Sequence, residues 1–237
     1  MNSTTYRIYN NVSMGEACLI GDFASIGMPP RGYQDGELPT LLGDRVEVQS
    51  HVVICAGNKL GDDFIAGHGL YMRHNNNIGK RVEIGAQSIL EWDITIHDDV
   101  SIGINAGIAE YTIIEQGSLL GQQVALASVL HPLCPKAKEC GKGAHIYRGA
   151  TIGSGAIIYP DLRIGEGAYI QPCSVVVGDV RPYTVVSGNP AKETGDISTL
   201  YPQFLERIER YVVDLSENAI SLAKANFEVV YTLFPSR

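Results

Sequence analysis

Charge is scarce in this chain. Only 19% of its 237 residues are charged, and the balance is acidic, with a formal net charge of -8. An acidic chain has no field that gathers phosphate backbones, which excludes nucleic acid as a general partner. Long apolar runs are missing too: no stretch approaches the roughly 18 residues that a membrane helix needs. The opening residues carry Asn, Ser, Thr and Glu in place of the apolar core of a secretory signal. The expectation is a cytoplasmic protein with no membrane span. Cysteine is sparse and odd in number, five residues at 18, 55, 134, 140 and 173, so no dense disulfide framework is indicated and the thiols read as reduced. Proline disappears altogether between Pro39 and Pro132. Stacked strands need every amide donor, and such a gap suits them.

What the chain does have is glycine, 26 residues of it, which favours a turn-rich β architecture over a helical one. The length suffices for one large domain or two small ones. Stepping by six from Leu42 meets Val48, Ile54, Leu60, Ala66, Met72, Ile78, Ile84, Leu90, Ile96, Ile102, Ile108, Ile114, Leu120 and Leu126, every one apolar. A second run takes Ile146, Ile152, Ile158, Ile164, Ile170 and Val176, and Met14, Ile20 and Ile26 open the series. With 45% hydrophobic residues overall, 24 successes in locked register are not chance. A period of six fits neither a helix nor a hairpin rhythm. Each unit reads as a short strand plus a corner. Gly follows the apolar residue in Ile84-Gly85, Ile102-Gly103 and Ile152-Gly153, as expected if the corner needs residues tolerant of positive φ.

The register slips twice. "MPPRGYQDGELPT" fills a gap near 28–40, and "LHPLCPKAKECGKGAH" fills another at 130–145. A repeat array accepts insertions only as outward loops, and such loops often build the binding face. The second loop is open to several readings. His131, Cys134, Cys140 and His145 are all tetrahedral zinc ligand types, Cys134 and Cys140 could form a disulfide, or the stretch is only a solvated bulge. Lys136, Lys138, Lys142 and Arg148 against Glu139 make it locally basic, a patch suited to phosphates or simply a solvated face. After Lys192 the pattern ends. Leu205, Ile208, Tyr211, Val212 and Leu215 recur at helical spacing, which points to a helical extension over 196–237 that caps the array or packs on a neighbouring subunit.

The hexads resemble the left-handed parallel β-helix, which implies an all-β prism over residues 10–195. Three units per coil give about eight coils, on the order of 40 Å tall at ordinary strand spacing. "VVSGNPAK" at 185–192, together with "ALASVLHP" at 125–132, resembles the hexapeptide-repeat acyltransferases, a family that includes galactoside acetyltransferase and sugar-nucleotide N-acetyltransferases. The resemblance implies a homotrimer that uses acetyl-CoA, lying in the groove between prisms, to acylate a small-molecule acceptor such as an amino sugar. His131, in its "HP" context at the loop entrance, matches the family's general base. Ser154, Gly155, Pro172, Ser174, Pro190 and Lys192 are the implied cofactor contacts; Asn105, Glu110 and Tyr111, about one coil below the loop, are candidate acceptor contacts. The chain departs from the family where "IQPCSVVVGDV" replaces the small residues and Thr-Lys pair that line the pantetheine. The base role also follows from chemistry, since an imidazole titrates near neutral pH and can take a proton from an attacking amine or hydroxyl. His68 is the substitute base. His51, His74 and His97 read as corner residues. The prism of the γ-class carbonic anhydrases, which bind zinc through three histidines, and a non-catalytic scaffold are the other readings.

Overall fold

The structure is a computed structural model that describes residues 5–131, 133–136, 139–200 and 210. Short strands stack into three sheets of nine, eight and ten members. Strands pair in parallel with the one three positions later in the chain, except at the C-terminal end, where Tyr169–Ile170 pairs with the strand two positions later, Thr184–Gly188, which closes in a hairpin. The 18-residue register is locked throughout: Ile84 lies over Ile102, Ile96 over Ile114, and Leu90 over Ile108. The fold is therefore an all-β parallel solenoid with three faces. It reaches about 10 turns, taller than the eight coils counted from the hexads. The extra height comes from Arg7–Ile8, which pairs with Ser25–Ile26, and from Val180 and Val185–Val186 at the other end. The solenoid thus begins before residue 10.

The apolar residue of each hexad points inward. Ile54, Met72, Leu90 and Ile84 are all fully buried, and so is the residue two positions before each one, Val52, Leu70, Ser88 and Val82. Two asparagines take that corner position between the first and second faces, Asn58 and Asn76, each 1% exposed. Both are satisfied. Asn58 donates to the carbonyls of Cys55 and Arg73, its Oδ1 accepts from the Asn76 amide, and Asn76 Oδ1 accepts from the Ile94 amide, each at 2.6–2.9 Å. A buried amide that reproduces the ladder of its own backbone costs the core nothing unsatisfied.

The glycine after each inward residue serves a purpose different from the one its position suggests. Except at Gly27, it does not carry the positive φ. That conformation falls two residues later and is taken by His51, Asp63, Asn75, Arg81, Gln87, Asp93, Asp99 and Gln123. Gly85 and Gly103 are glycine because the next coil passes too close. A Cβ on Gly85 would lie 2.5 Å from the Ile104 nitrogen, and one on Gly103 2.6 Å from the Gln122 nitrogen. Corner strain is thus met mostly by polar residues that tolerate the left-handed region or by glycine at that same place, as at Gly57, Gly69 and Gly155, while the glycine directly after the inward residue permits the coil-to-coil approach.

The two insertions leave the solenoid at the same kind of corner, between the first face (Val53–Cys55, Tyr71–Met72, Ile89–Leu90, Ala125–Leu126) and the second (Lys59–Leu60, Asn77–Ile78, Ile113–Ile114, His145–Ile146). Asp35 pins the 28–40 loop by accepting from the Asn10 backbone and side chain at 2.8 and 3.0 Å. At the far end Thr184–Gly188 turns back on Ala191–Asp196, so the "GNPAK" segment is the tip of an antiparallel hairpin. Past a short turn at Ile197–Thr199, the expected C-terminal helix lies outside the described residues. Among the described residues no helix is long and apolar enough to cross a membrane. If inward stacking carries the fold, Ile96→Ala should cost about 2–5 kcal/mol and Ile96→Val about 0.5–1.5. Urea denaturation followed by circular dichroism checks this, and equal effects from the two would contradict it.

Candidate functional site

The 130–145 loop is anchored from below and above. A Cβ on Gly143 would fall 2.2 Å from the Thr112 nitrogen, so the loop's end rests directly on the coil beneath. Above it, the Asp161 amide donates to the Lys142 carbonyl at 3.2 Å, and the Lys142 amide to the Ser128 carbonyl at 2.9 Å. Within the loop the Cys134 amide donates to the His131 carbonyl at 2.9 Å. Held this way, the loop forms one wall of a cavity of about 630 Å³. His131, Cys134 and Cys140 line the loop side, and Tyr159, Asp161, Arg163, Val177 and Asp179 line the solenoid side. His131 stands exposed at the rim; Pro132, its partner in the "HP" pair, lies outside the described residues.

The basic patch expected of this loop is not assembled. Lys142 pairs with Asp161 at 2.9 Å, and Lys136 faces Glu139 at 3.6 Å in the open. Arg148 sits on the corner between the second face and the third (Ser101–Ile102, Leu119–Leu120, Thr151–Ile152), away from the loop. Lys138 lies outside the described residues. Two cations line the cavity: Lys142, in its pair with Asp161, and Arg163, one coil above His145. Its neighbour Asp179 accepts from the Arg163 backbone amide at 2.8 Å, and burial pushes the Asp179 carboxyl above the usual carboxylate range. Sequence reasoning missed Tyr159, Arg163 and Asp179 because it searched the coil below the loop; stepping 18 residues on from His145 would have found Arg163.

His145 is engaged elsewhere, which undoes the four-ligand zinc clip. Its Nε2 lies 2.8 Å from Glu115 Oε1, and its ring stacks on Tyr147 with centroids 4.0 Å apart. Glu115 accepts the Arg148 amide on its other oxygen at 3.1 Å. The hydrogen bond from His145 holds the Glu115 carboxyl below its ordinary value of 4.5. The pair has the geometry of a base with its orienting carboxylate. Among the described residues no group of three or more His, Cys, Asp or Glu is arranged to hold a metal ion. Cys134 and Cys140 are free thiols, so the disulfide alternative is not formed. His68, the substitute base, bonds Ser50 Oγ at 2.9 Å on the corner between the third face and the first, an edge the loop does not reach.

The implied cofactor residues divide. Ser154, Gly155, Pro172 and Ser174 gather on that same third-to-first corner, where the Cys173 amide donates to the Ser154 carbonyl at 2.9 Å. Ser154 Oγ accepts from the Gln122 amide at 3.2 Å. Ser174 is fully buried and its hydroxyl accepts from the Gly188 amide at 3.3 Å, which removes it as a direct ligand contact and draws the Pro190 hairpin tip to this corner. Within one chain this edge is separate from that of His131. Lys192 lies differently: it lines a smaller hollow of about 230 Å³ that shares Val177 and Asp179 with the large cavity. Asn105, grouped in sequence with Glu110 and Tyr111, belongs to the third-to-first corner at a positive φ. Glu110 and Tyr111 do lie beneath the loop, but the cavity opens on the other side of it, and neither lines it.

Because Glu115 is held below 4.5, its bond to His145 stabilises the fold at neutral pH, and that contribution fades as pH falls below 4.5. Glu115→Gln should therefore lower Tm near neutrality, with the gap to wild type closing on the acid side. A gap that stays constant down to the acid limb would contradict the pairing.

No protein-family model and no curated protein matches the sequence. Among solved structures, LpxA from Bacteroides fragilis, a UDP-N-acetylglucosamine acyltransferase, is 13% identical, with a TM-score of 0.52 over 98% of this chain and 85% of that one. LpxA from Acinetobacter baumannii is 19% identical, with a TM-score of 0.47 over 97% and 80%. A perosamine N-acetyltransferase from Caulobacter crescentus, solved with CoA and GDP-perosamine, is 18% identical, with a TM-score of 0.37 over 64% and 57%. The Bacteroides match spans nearly the whole solenoid. The chain has the fold of the hexapeptide-repeat β-helix acyltransferases.

Proposed function

We propose that this chain moves an acyl group from a coenzyme A thioester, acetyl-CoA in the simplest case, to an amino group of a sugar or nucleotide-sugar. The observation that supports this reading is the imidazole of His131 at the rim of a 630 Å³ cavity walled by an anchored loop. That volume suits a ligand of sugar-nucleotide size. The similar fold of a UDP-N-acetylglucosamine acyltransferase agrees with it. In the proposed step the acceptor nitrogen attacks the thioester carbonyl while His131 takes its proton. The tetrahedral oxyanion collects on backbone amides. The C–S bond then breaks as the amide C–N bond is completed, and His131 returns the proton to the departing thiolate. A hydroxyl acceptor would need the same groups and would give an ester.

A homotrimer belongs to this reading. On the first face the outward residues beyond the terminal Arg7 are Ser25, Val53, Tyr71, Ile89, Gly107, Ala125, Ile157 and Val175, without one charge. The second face carries Lys59 and Arg163 at the equivalent places, and the third Glu47 and Glu83. An uncharged stripe this long suits burial against a neighbouring copy. The first face separates the His131 edge from the Ser154 edge. A neighbour set on it would bring the base of one subunit toward the cofactor edge of the next, with coenzyme A between them.

The Glu115–His145 pair supports a second reading, in which His145 is the base, because it already has an orienting carboxylate at 2.8 Å. Thiol release from acetyl-CoA across a panel of amino sugars tests both. His131→Ala should lower kcat by about 10²–10⁴-fold with Tm unchanged, since the side chain is exposed. Loss confined to His145→Ala would transfer the base role to His145. No thiol release with any acceptor would leave the non-catalytic scaffold. Light scattering of the same preparation should give a trimer, and a monomer with full turnover would remove the shared groove.

A further inference from the structure

The wall of the large cavity carries two oppositely charged groups that lie near one another without closing a contact ion pair. Lys142 and Asp161 neutralise one another at 2.9 Å. Arg163 and Asp179 do not. Among the described residues no carboxylate oxygen lies within ion-pair distance of the Arg163 guanidinium, although it lines the cavity. Asp179 meets Arg163 only through the main-chain amide, which donates to Oδ1 at 2.8 Å. No protein donor among the described residues reaches its Oδ2. Burial drives the carboxyl upward, and the amide bond and the nearby positive charge of Arg163 only partly offset that. A half-buried carboxylate whose second oxygen has no protein donor is free to accept a hydrogen bond from a molecule that enters the cavity.

The rest of the wall narrows the chemistry of that visitor. Tyr159 and Val177 present apolar surface, 37% and 47% exposed, beside the charged pair. A guanidinium grips planar or tetrahedral oxyanions with two parallel N–H bonds, a geometry that suits phosphate or carboxylate. The molecule that answers all three features carries an anion, a hydroxyl donor close by, and an apolar ring face that lies against the tyrosine.

We propose that Arg163 and Asp179 are the acceptor-reading pair of this site: Arg163 holds a phosphate or carboxylate on a sugar ring, and Asp179 Oδ2 accepts a hydrogen bond from one of that ring's hydroxyls. The inference rests on the transfer reading only in naming the occupant an acceptor; the recognition chemistry belongs to the cavity. It assigns specificity to the coil above the loop. Asn105, Glu110 and Tyr111 then lie outside the acceptor contacts.

Calorimetric titration of the full chain with glucosamine, glucosamine 6-phosphate, glucuronate and inorganic phosphate, without coenzyme A, tests this. Both anionic sugars should bind at least about tenfold more tightly than glucosamine, as charge-assisted bidentate contacts predict. Glucosamine 6-phosphate should also exceed inorganic phosphate. A preference between the two anionic sugars identifies which oxyanion the site takes. Arg163→Met should erase the advantage of the anionic sugars, and Arg163→Lys, which keeps the charge but loses the fork, should keep part of it. Asp179→Asn should weaken every sugar several-fold and leave inorganic phosphate unchanged. Equal binding of neutral and anionic sugars, no binding of any sugar, or a full anionic preference in a folded Arg163→Met protein would overturn the proposal. The transfer reading fails separately. A chain that binds these sugars but releases no thiol from acetyl-CoA in their presence retires the enzyme and keeps the pair.

Discussion

Parallel stacking at an 18-residue offset is the constraint on which this molecule depends. Each coil gives its amides to the carbonyls of the next, as Glu83 does to Val100 at 3.0 Å and Ile89 to Ala106 at 2.8 Å. Such contact is possible only if nothing projects between coils at the corners. Glycine at Gly85 and Gly103 removes the offending Cβ, and the strained positions two residues later accept Gln87 and Asn105 at positive φ. The apolar column follows from the same offset, since any residue that points inward must meet its counterpart one coil away. Fold and core are therefore one pattern.

A scaffold this regular leaves few places where chemistry can gather. Its faces are flat, its corners repeat, and its inner column is sealed. The loop between Leu126 and Ile146 breaks that monotony at one corner and creates a concave surface against the next coils, where Tyr159, Arg163 and Asp179 wait at fixed spacing. The wall opposite the loop is rigid because it belongs to the ladder. The loop wall is held at its C-terminal end, against Thr112 below and Asp161 above, and the Lys142 amide ties that end back to Ser128. The insertion thus sets one concave wall against an ordered surface.

The fold was almost fully legible because one short period repeats across the chain, so each hexad confirms the last. Val180 and Val186 escaped because the step of six breaks after Val176, and only backbone pairing reveals them as further rungs; Ile8 was in step, six residues before Met14, and was overlooked. Glycine does take the positive φ at corners such as Gly57 and Gly155, but the one directly after the inward residue was misjudged, since sequence spacing cannot separate the need for positive φ from the need for clearance. The site was half legible. His131 and the loop stood out as departures from the repeat, but partners on other coils did not. Arg163 looks like any outward residue until the loop is seen to lean toward its coil. His145 looked like a loop ligand, yet it is the first outward residue of the resumed ladder and faces Glu115. Ser174 looked available and is buried. Contacts between neighbouring coils are set by register, and that part can be read; contacts made by an insertion depend on which way it folds.

The account divides the molecule into a register that makes the fold and an insertion that makes the chemistry, and one deletion separates them. Removing residues 130–143 restores a six-residue step from Leu126 to Ile146, with Ala144 and His145 in their normal hexad places. Circular dichroism, thermal melting and thiol release from acetyl-CoA are then measured on the same protein. The account predicts a folded solenoid with a melting point close to that of wild type and no acyl transfer. A deletion protein that fails to fold, or one that still turns over, would contradict it.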